Sequence, residues 1–380
     1  MDPKQKFFLF HKNQNFCAAP WNHIEVWSNG AISTCSKGME YGRITNEKIE
    51  DILVSDTIKN IKSDLLANRP NSNCEGCHKW STEQKHYDLR NHYNPMFKEF
   101  DVDYSDVEKF ELHGIDLHWN NTCNFKCIYC NAEQSSAIAQ EQQVTVARID
   151  NFNIEYIIDQ VEKNQYKMKE IYLTGGEPLL IKHNHLLLSK ITNTDLPIRV
   201  NSNISMITDS NLVFAELKRF KNVLWTISAD SQGNRFNYVR HGGDWNQFLI
   251  NLAKLKSIGH KLRINLVWFV GNVSCMAETI EFFIQEHGIT DITINQLDEH
   301  EYLLARHAPV AVKQQAKIQL DRLLNSGLID PESNSWYNIA RCVRELDTES
   351  DNPTGYCDYF DKLDRLRGTQ WRSIFTELVV

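Results

Sequence analysis

Between about residues 112 and 325, short β-type runs alternate with helical patterns, and this alternation limits the fold more than any other feature. The runs are GIDLHW (114–119), EIYLTG (170–175), PIRVNSN (197–203), VLWTISA (223–229), LRINLVWFV (262–270) and DITINQL (291–297). Between them, IEYIIDQVEKN, LVFAELKRF, FLINLAKLKSIG and AETIEFFIQEHG carry apolar residues at helical spacing, the last two ending in Gly as helices often do. Strand and helix in strict succession mean βα units around a parallel sheet. Six units fall short of the eight that close a full barrel. The expectation is an α/β fold, a partial (βα)6 TIM-like barrel over 112–327, with chemistry at the C-terminal ends of its strands.

The flanks read differently. Residues 1–81 contain turn residues around WSNGAIS, which predict a hairpin, and helical spacing only in IEDILVSDTIKNIKSDLLAN. They are expected to form a separate small α+β unit. Residues 82–111 are polar and aromatic without clear periodicity and read as a connector. A helix is expected at VAVKQQAKIQLDRLLNSG, followed over 328–380 by a loop-rich tail packing on the barrel.

With 42% hydrophobic residues in 380, the chain can bury a sizeable core. A formal charge of −8 argues against binding nucleic acid by bulk positive charge. No apolar run reaches the roughly 18 residues needed to span a bilayer, and the opening MDPKQKFFLFHKNQ lacks the pattern of a cleaved leader. A cytoplasmic protein with no membrane or nucleic-acid partner is therefore expected. In a reducing compartment, ten cysteines point to metal or cluster ligation before disulfides.

Three of the ten stand in NTCNFKCIYCN, as Cys123, Cys127 and Cys130, directly after the first barrel strand. Three thiolates ligate three irons of a 4Fe-4S cube and leave the fourth open, whereas electron-carrying clusters take four cysteines. Zinc shares these spacings and is the bland alternative. After the second strand comes TGGEP, Thr174 to Pro178, whose glycines allow close backbone approach and whose carboxylate can accept from an ammonium group.

C-x3-C-x2-C after strand one followed by TGGEP after strand two resembles the radical S-adenosylmethionine (SAM) superfamily. The resemblance implies a 4Fe-4S cluster on the triplet with SAM on its open iron. It further implies reductive cleavage to a 5′-deoxyadenosyl radical, and hydrogen abstraction from a substrate carbon. It places Gly175, Gly176 and Glu177 on the methionine amino group and Tyr129 against the adenine. The segment TISADSQGNRFNYVRHGG resembles the fourth-strand region of the family, which puts Ser228 and Arg240 near the SAM carboxylate. Asp230 and Asn203 sit at neighbouring strand ends, to face ribose or substrate or simply to cap the next helix. Asn265 and Asn295 read as polar residues of the barrel interior.

Cys17 and Cys35 in C-x12-G-x4-C, followed by CEGC at Cys74 and Cys77, resemble the twitch unit, a shortened SPASM domain that holds an auxiliary 4Fe-4S cluster. Such units usually follow the barrel; here the cysteines precede it. A structural zinc ribbon is the alternative, and His78 reads as a surface residue that could substitute as a ligand. Cys275 lies near a helix N-terminus, where a thiol pKa tends to fall, and is a candidate hydrogen donor to a substrate radical, or a small buried residue. Cys342 reads as core. Cys357 lies in a tail whose Asp364 and Arg367 are expected to fold back over the barrel opening. The functional expectation is an enzyme acting on a peptide or protein, with a sugar or other small metabolite as the alternative. Its partners would be that substrate and an electron donor of the flavodoxin or ferredoxin type. A zinc-bearing binding protein and an electron-transfer module are the competing classes.

Overall fold

The computed structural model describes residues 1–44, 47–78, 89–146, 149, 151–297 and 300–379; positions 82–88 of the expected connector lie outside the described residues. The chain forms two compact units, one of residues 1–122, 132–200 and 209–223, the other of residues 123–131, 201–208 and 224–380.

In the first unit, helix α1 (Pro3–His11) precedes strand β1 (His23–Trp27), which turns at Gly30 into β2 (Ala31–Ser33) and then β3 (Gly42–Arg43). The hairpin expected at WSNGAIS is present, with Glu25 opposite Ser33. Helix α2 (Asp56–Leu66) follows, then α3 (Leu89–Phe97). Strands β4 (Gly114–His118), β5 (Glu170–Leu173) and β6 (Ile198–Ser202) pair in parallel in register, Ile115 with Ile171 and Ile171 with Ile198.

The amino-terminal segment is not set apart from these strands. β1 pairs in parallel with β4 over five positions, from His23 opposite Gly114 to Trp27 opposite His118. The expected connector is also mostly ordered structure. Tyr93 and Phe97 of α3, with Val102 and Tyr104, share one buried core with Phe16, Trp21, Ile61 and Leu65. Their spacing is irregular and Pro95 lies inside α3, so no period marks the helix in the sequence.

One face of β4 to β6 is apolar: Ile115, Leu117, Ile171, Leu173, Ile198 and Val200 are buried. The helices α4 (Asn151–Asn164), α5 (Lys182–Lys190) and α6 (Leu212–Leu217) bury Ile157, Val161, Leu187, Leu188 and Phe214. Each such side chain contributes about 1.5–3 kcal/mol when fully buried.

In the second unit β7 (Val223–Ser228), β8 (Lys261–Trp268) and β9 (Ile292–Gln296) pair in parallel, Ser228 with Asn265 and Asn265 with Thr293. Helices α7 (Gly233–Val239), α8 (Trp245–Ile258) and α9 (Met276–Gln285) intervene. Asp244 caps α8 by accepting the Gln247 N–H at 2.7 Å, and Gly259 ends it at φ +84°. Six parallel strands thus alternate with helices in the chain order of a partial (βα)6 TIM-like barrel, three in each unit.

After α10 (Val310–Leu324) the tail is helical rather than loop-rich, with α11 (Asn334–Glu345) and α12 (Gly355–Arg367). Ser335 of α11 takes the Ile292 N–H at 2.9 Å and gives its own proton to the Thr290 carbonyl, fastening the helix beside β9. Among the described residues, no helix is long and apolar enough to cross a membrane.

Candidate functional site

Cys123, Cys127 and Cys130 lie on a loop of the second unit that is anchored by what stands between them. Phe125 and Ile128 are buried. The Lys126 N–H donates to His241 O at 2.8 Å, the Ile128 N–H to Val239 O at 2.9 Å, and the Tyr359 hydroxyl of α12 donates to Ile128 O at 2.6 Å. The three cysteines are half-buried. Burial raises the Cys130 pKa, and repulsion from Cys127 and Cys123 raises it further. Burial also raises Cys127, against the opposing pull of Arg240. Three soft thiols on one short loop are the donor set that an iron–sulfur group takes.

Arg240 and Asp230 are both buried. Asp230 is fully buried, with Oδ2 2.5 Å from the Tyr129 hydroxyl and 2.9 Å from Arg240 Nε, and with Oδ1 accepting the Val267 N–H at 2.8 Å. The Arg240 contact is an ion pair rather than an aligned hydrogen bond, since Nε has no acceptor in line. The Asp230 carboxylate, expected to face ribose or substrate or to cap the next helix, is engaged by three protein groups. Tyr129, expected against an adenine, gives its hydroxyl to Asp230 and meets Phe269 edge to face at 5.7 Å. Arg240 points its Nη1 at Cys127 Sγ, 3.8 Å away.

Asn203 ties the cysteine loop to the end of β6: its amide donates to Asn124 Oδ1 at 3.1 Å and its own Oδ1 accepts the Ser205 N–H at 2.9 Å. Ser228 donates to Asn201 at 3.3 Å, and Asn295 donates to Asn265 at 2.8 Å. The amides of the expected barrel interior thus satisfy one another.

In the first unit, TGGEP runs against residues 117–122. Thr174 N–H donates to Leu117 O, Gly176 N–H to Asn120 O and Glu177 N–H to Thr122 O, at 3.1, 3.2 and 2.7 Å. A side chain on Gly175 would lie 2.6 Å from Asn120 O, and one on Gly176 2.3 Å from Thr122 O; Gly175 also sits at φ +104°. Only glycine allows this approach. Glu177 is buried, and its Oε1 accepts the Leu179 N–H at 3.1 Å, capping the short turn Pro178–Leu180.

Cys17, Cys35, Cys74 and Cys77 line one small cavity together with Thr34, Tyr41 and His78. His78, expected on the surface, is half-buried there. Burial raises Cys17 strongly and Cys35 to about 12, and the neighbouring thiols add to both. Among the described residues, no three or more His, Cys, Asp or Glu side chains close around a single-ion position.

Sequence reasoning passed over the polar face of the first unit. At one register Glu25, Asp116, Tyr172 and Arg199 stand side by side on β1, β4, β5 and β6. His118 Nε2 is 3.0 Å from Glu25 Oε1, with its ring stacked 4.4 Å from Trp27. Arg199 lies 3.8 Å above the Tyr172 ring and 2.9 Å from Glu170. Burial alone would raise Asp116, but His23, 3.3 Å away, and Arg199 outweigh it and hold the carboxyl below its usual range. The signal was available: polar residues alternate with apolar ones along GIDLHW and PIRV.

Of the solitary cysteines, Cys342 is core as expected. Cys275 is corrected: burial pushes its thiol up rather than down, partly offset by Arg235, and its Sγ faces the Asn272 carbonyl at 3.7 Å. Cys357 lies half-buried on α12. Asp364 accepts from Tyr238, Thr369 and the Trp371 N–H, at 3.0, 2.6 and 2.6 Å. The charge of Arg367 bears on the Cys127 thiol, lowering its pKa.

The sequence model described as Radical SAM superfamily matches residues 118–283, and one described as an iron-sulfur cluster-binding domain, SPASM, matches residues 17–78. Among curated proteins, the GTP 3′,8-cyclase of Marinobacter nauticus is 26% identical over 204 residues, covering 51% of this chain and 58% of that protein. The GTP 3′,8-cyclase of Rhizobium etli is 24% identical, over 38% of this chain and 40% of that protein. The chain thus spans less than two thirds of the length of these relatives. Among solved structures, anSMEcpe with bound AdoMet aligns at a TM-score of 0.43 with 16% identity, over 57% of this chain and 60% of that one. SuiB of Streptococcus suis bound to S-adenosylmethionine aligns at 0.41 with 15% identity, over 56% and 44%. The two matched segments carry the cysteine triplet and the cysteine tetrad: a radical SAM domain over residues 118–283, preceded by a SPASM-type iron-sulfur cluster-binding domain over residues 17–78.

Proposed function

We propose that this chain cleaves S-adenosylmethionine reductively and takes a hydrogen atom from a carbon of a polar small molecule. The observation that carries the reading is the set of three cysteines, Cys123, Cys127 and Cys130, on one hydrogen-bonded loop, with Arg240 directed at Cys127. When bound, a 4Fe-4S cluster with SAM on its open iron supplies a 5′-deoxyadenosyl radical. The protein supplies placement and exclusion of water. Gly175 and Gly176 bring the backbone close enough to hold the methionine amino group, with Glu177 as its carboxylate partner. Asn203 and Ser228 border the same cofactor. Cys17, Cys35, Cys74 and Cys77, all within the segment 17–78 that matches the SPASM model, hold the auxiliary cluster, and an electron donor of the flavodoxin or ferredoxin type reduces the enzyme.

The face formed by Glu25, Asp116, His118 and Arg199 is polar, with its charges paired as His118–Glu25, His23–Asp116 and Arg199–Glu170, and a polar face supports a polar substrate. The relatives bear the name GTP 3′,8-cyclase, which supports a small molecule as well. Modification of a peptide or protein by the same chemistry is the second reading.

The test is anaerobic reconstitution, reduction and incubation with SAM, followed by measurement of 5′-deoxyadenosine. Formation is expected; none from protein with an intact cluster would sink the reading. Zinc in both cysteine sets without iron or sulfide would do the same. Adding GTP, or separately a peptide mixture, then distinguishes the substrate readings by which of them accelerates 5′-deoxyadenosine release.

A further inference from the structure

We propose that Arg240 sets how readily a cluster on the cysteine triplet takes up an electron, with Asp230 and Tyr129 as the residues that hold it in position. This rests on the assignment of a 4Fe-4S cluster to Cys123, Cys127 and Cys130.

Arg240 is the residue at which α7 ends, its φ of −102° and ψ of 59° leaving the helix. Its N–H still donates to Phe236 O at 2.8 Å, so the departure point is fixed. The same turn binds the cysteine loop on both sides of Cys127, through Val239 O and His241 O. The guanidinium is therefore delivered to Cys127 by backbone that also shapes the loop, and Nη1 reaches Sγ at 3.8 Å.

The side chain is buried, 5% exposed, and its counter-charge Asp230 is 2.9 Å from Nε. Asp230 cannot follow Arg240 elsewhere, because Tyr129 and the Val267 N–H hold its two oxygens. Removal of Asp230 would free the guanidinium to turn from the sulfur. Asp230 is thus a positioning residue, and Tyr129, one residue before a ligand, locks it to the loop.

Reduction adds one negative charge to the cluster and its thiolates. A fixed cation, with an N–H aimed at a ligating sulfur, stabilises that added charge and raises the potential. Buried, it is poorly screened by solvent. Arg keeps its charge at every accessible pH, so the effect does not fade with titration.

The experiment uses the full chain, reconstituted with iron and sulfide, titrated anaerobically with dithionite and followed by electron paramagnetic resonance. The triplet's signal is the one that changes when SAM is added. Arg240→Gln is expected to shift its midpoint to more negative potential by about 59 mV or more, a tenfold change in a one-electron equilibrium. Arg240→Lys is expected to shift it less, because the charge remains and the fork is lost. If Arg240→Gln loses iron, Arg240→Lys decides alone. A midpoint unmoved in an iron-replete variant, with SAM affinity reduced instead, would overturn the proposal and return Arg240 to the SAM carboxylate. Wild-type protein lacking a SAM-responsive reducible cluster would fail at the cluster assignment itself, and the proposal would fall with it.

Discussion

The two cysteine sets sit in opposite electrostatic surroundings. Beside the triplet stands a cation, Arg240, which pulls the Cys127 thiol down against its burial. Beside the tetrad stands a carboxylate, Glu25, which adds to the upward push of burial on Cys35. Support differs as well. The triplet is held by backbone hydrogen bonds to residues 239–241 and by Tyr359, whereas the tetrad is packed on an aromatic core of Phe16, Trp21, Phe97 and Tyr104. An identical cluster placed in each would be easier to reduce in the first and harder in the second. At the triplet Asp230 opposes Arg240 and Arg367 adds to it, so the contrast between the two sets lies in the leading charge beside each.

The largest expected effect separates the tasks outright. Cys127→Ala should abolish 5′-deoxyadenosine formation, a loss of at least about a thousandfold, and remove roughly half the iron. Cys17→Ala should remove a comparable share of iron yet leave SAM cleavage measurable. Paired iron analysis and product assay check both, and equal loss of cleavage in the two variants would erase the distinction. Next in size is the difference in support. Phe97→Ala should cost about 3–5 kcal/mol in chemical unfolding and release iron from the tetrad first. Loss of the triplet's SAM-responsive signal ahead of the tetrad's would break the comparison.

What was legible in the sequence follows the same division. The barrel strands were readable because each is a compact apolar or alternating run, and all six lie within a few residues of the expected spans. The triplet and TGGEP were readable because their chemistry fixes spacing. The parallel pairing of β1 with β4 was not, since a five-residue strand carries no mark of which neighbour it will join. The helix Leu89–Phe97 was hidden by Pro95 and by aromatic residues that serve an irregular core. Asp230 and Arg240 were found as residues, but their partners were not: a motif says that a charge is present, while only the packed loop shows that it is spent on a sulfur and a tyrosine.

A smaller effect probes the polar face that joins β1 to the strands after it. Burial would lower His23, yet Asp116 outweighs it and raises the pKa; burial would raise Asp116, yet His23 outweighs it and lowers that one. The His23 contribution is full below about pH 6.5 and is lost as pH rises through its higher folded value. The Asp116 contribution is present above about pH 3.8 and is lost as pH falls through its lower folded value. The pair therefore stabilises most between about pH 4 and 6.5. Asp116→Asn should cost about 3 kcal/mol there and less at higher pH, as read from urea unfolding across that range. A cost that grows above pH 7 would show that the pair is not the ionised one.

The smallest effect concerns a cysteine that belongs to neither set. Cys275 lies where α9 begins, and a helix N-terminus by itself would favour its thiolate. Burial prevails, so the thiol stays protonated at neutral pH, with its proton toward the Asn272 carbonyl. That is the form a hydrogen-atom donor needs, because a thiolate has no hydrogen to give. Cys275→Ala should then change SAM cleavage by less than about twofold, since cleavage precedes any donation. Iodoacetamide at pH 8 should label Cys275 at least about tenfold more slowly than a free thiol. Fast labelling would mean that the helix terminus prevails over burial, and the protonated thiol would no longer be available for hydrogen donation.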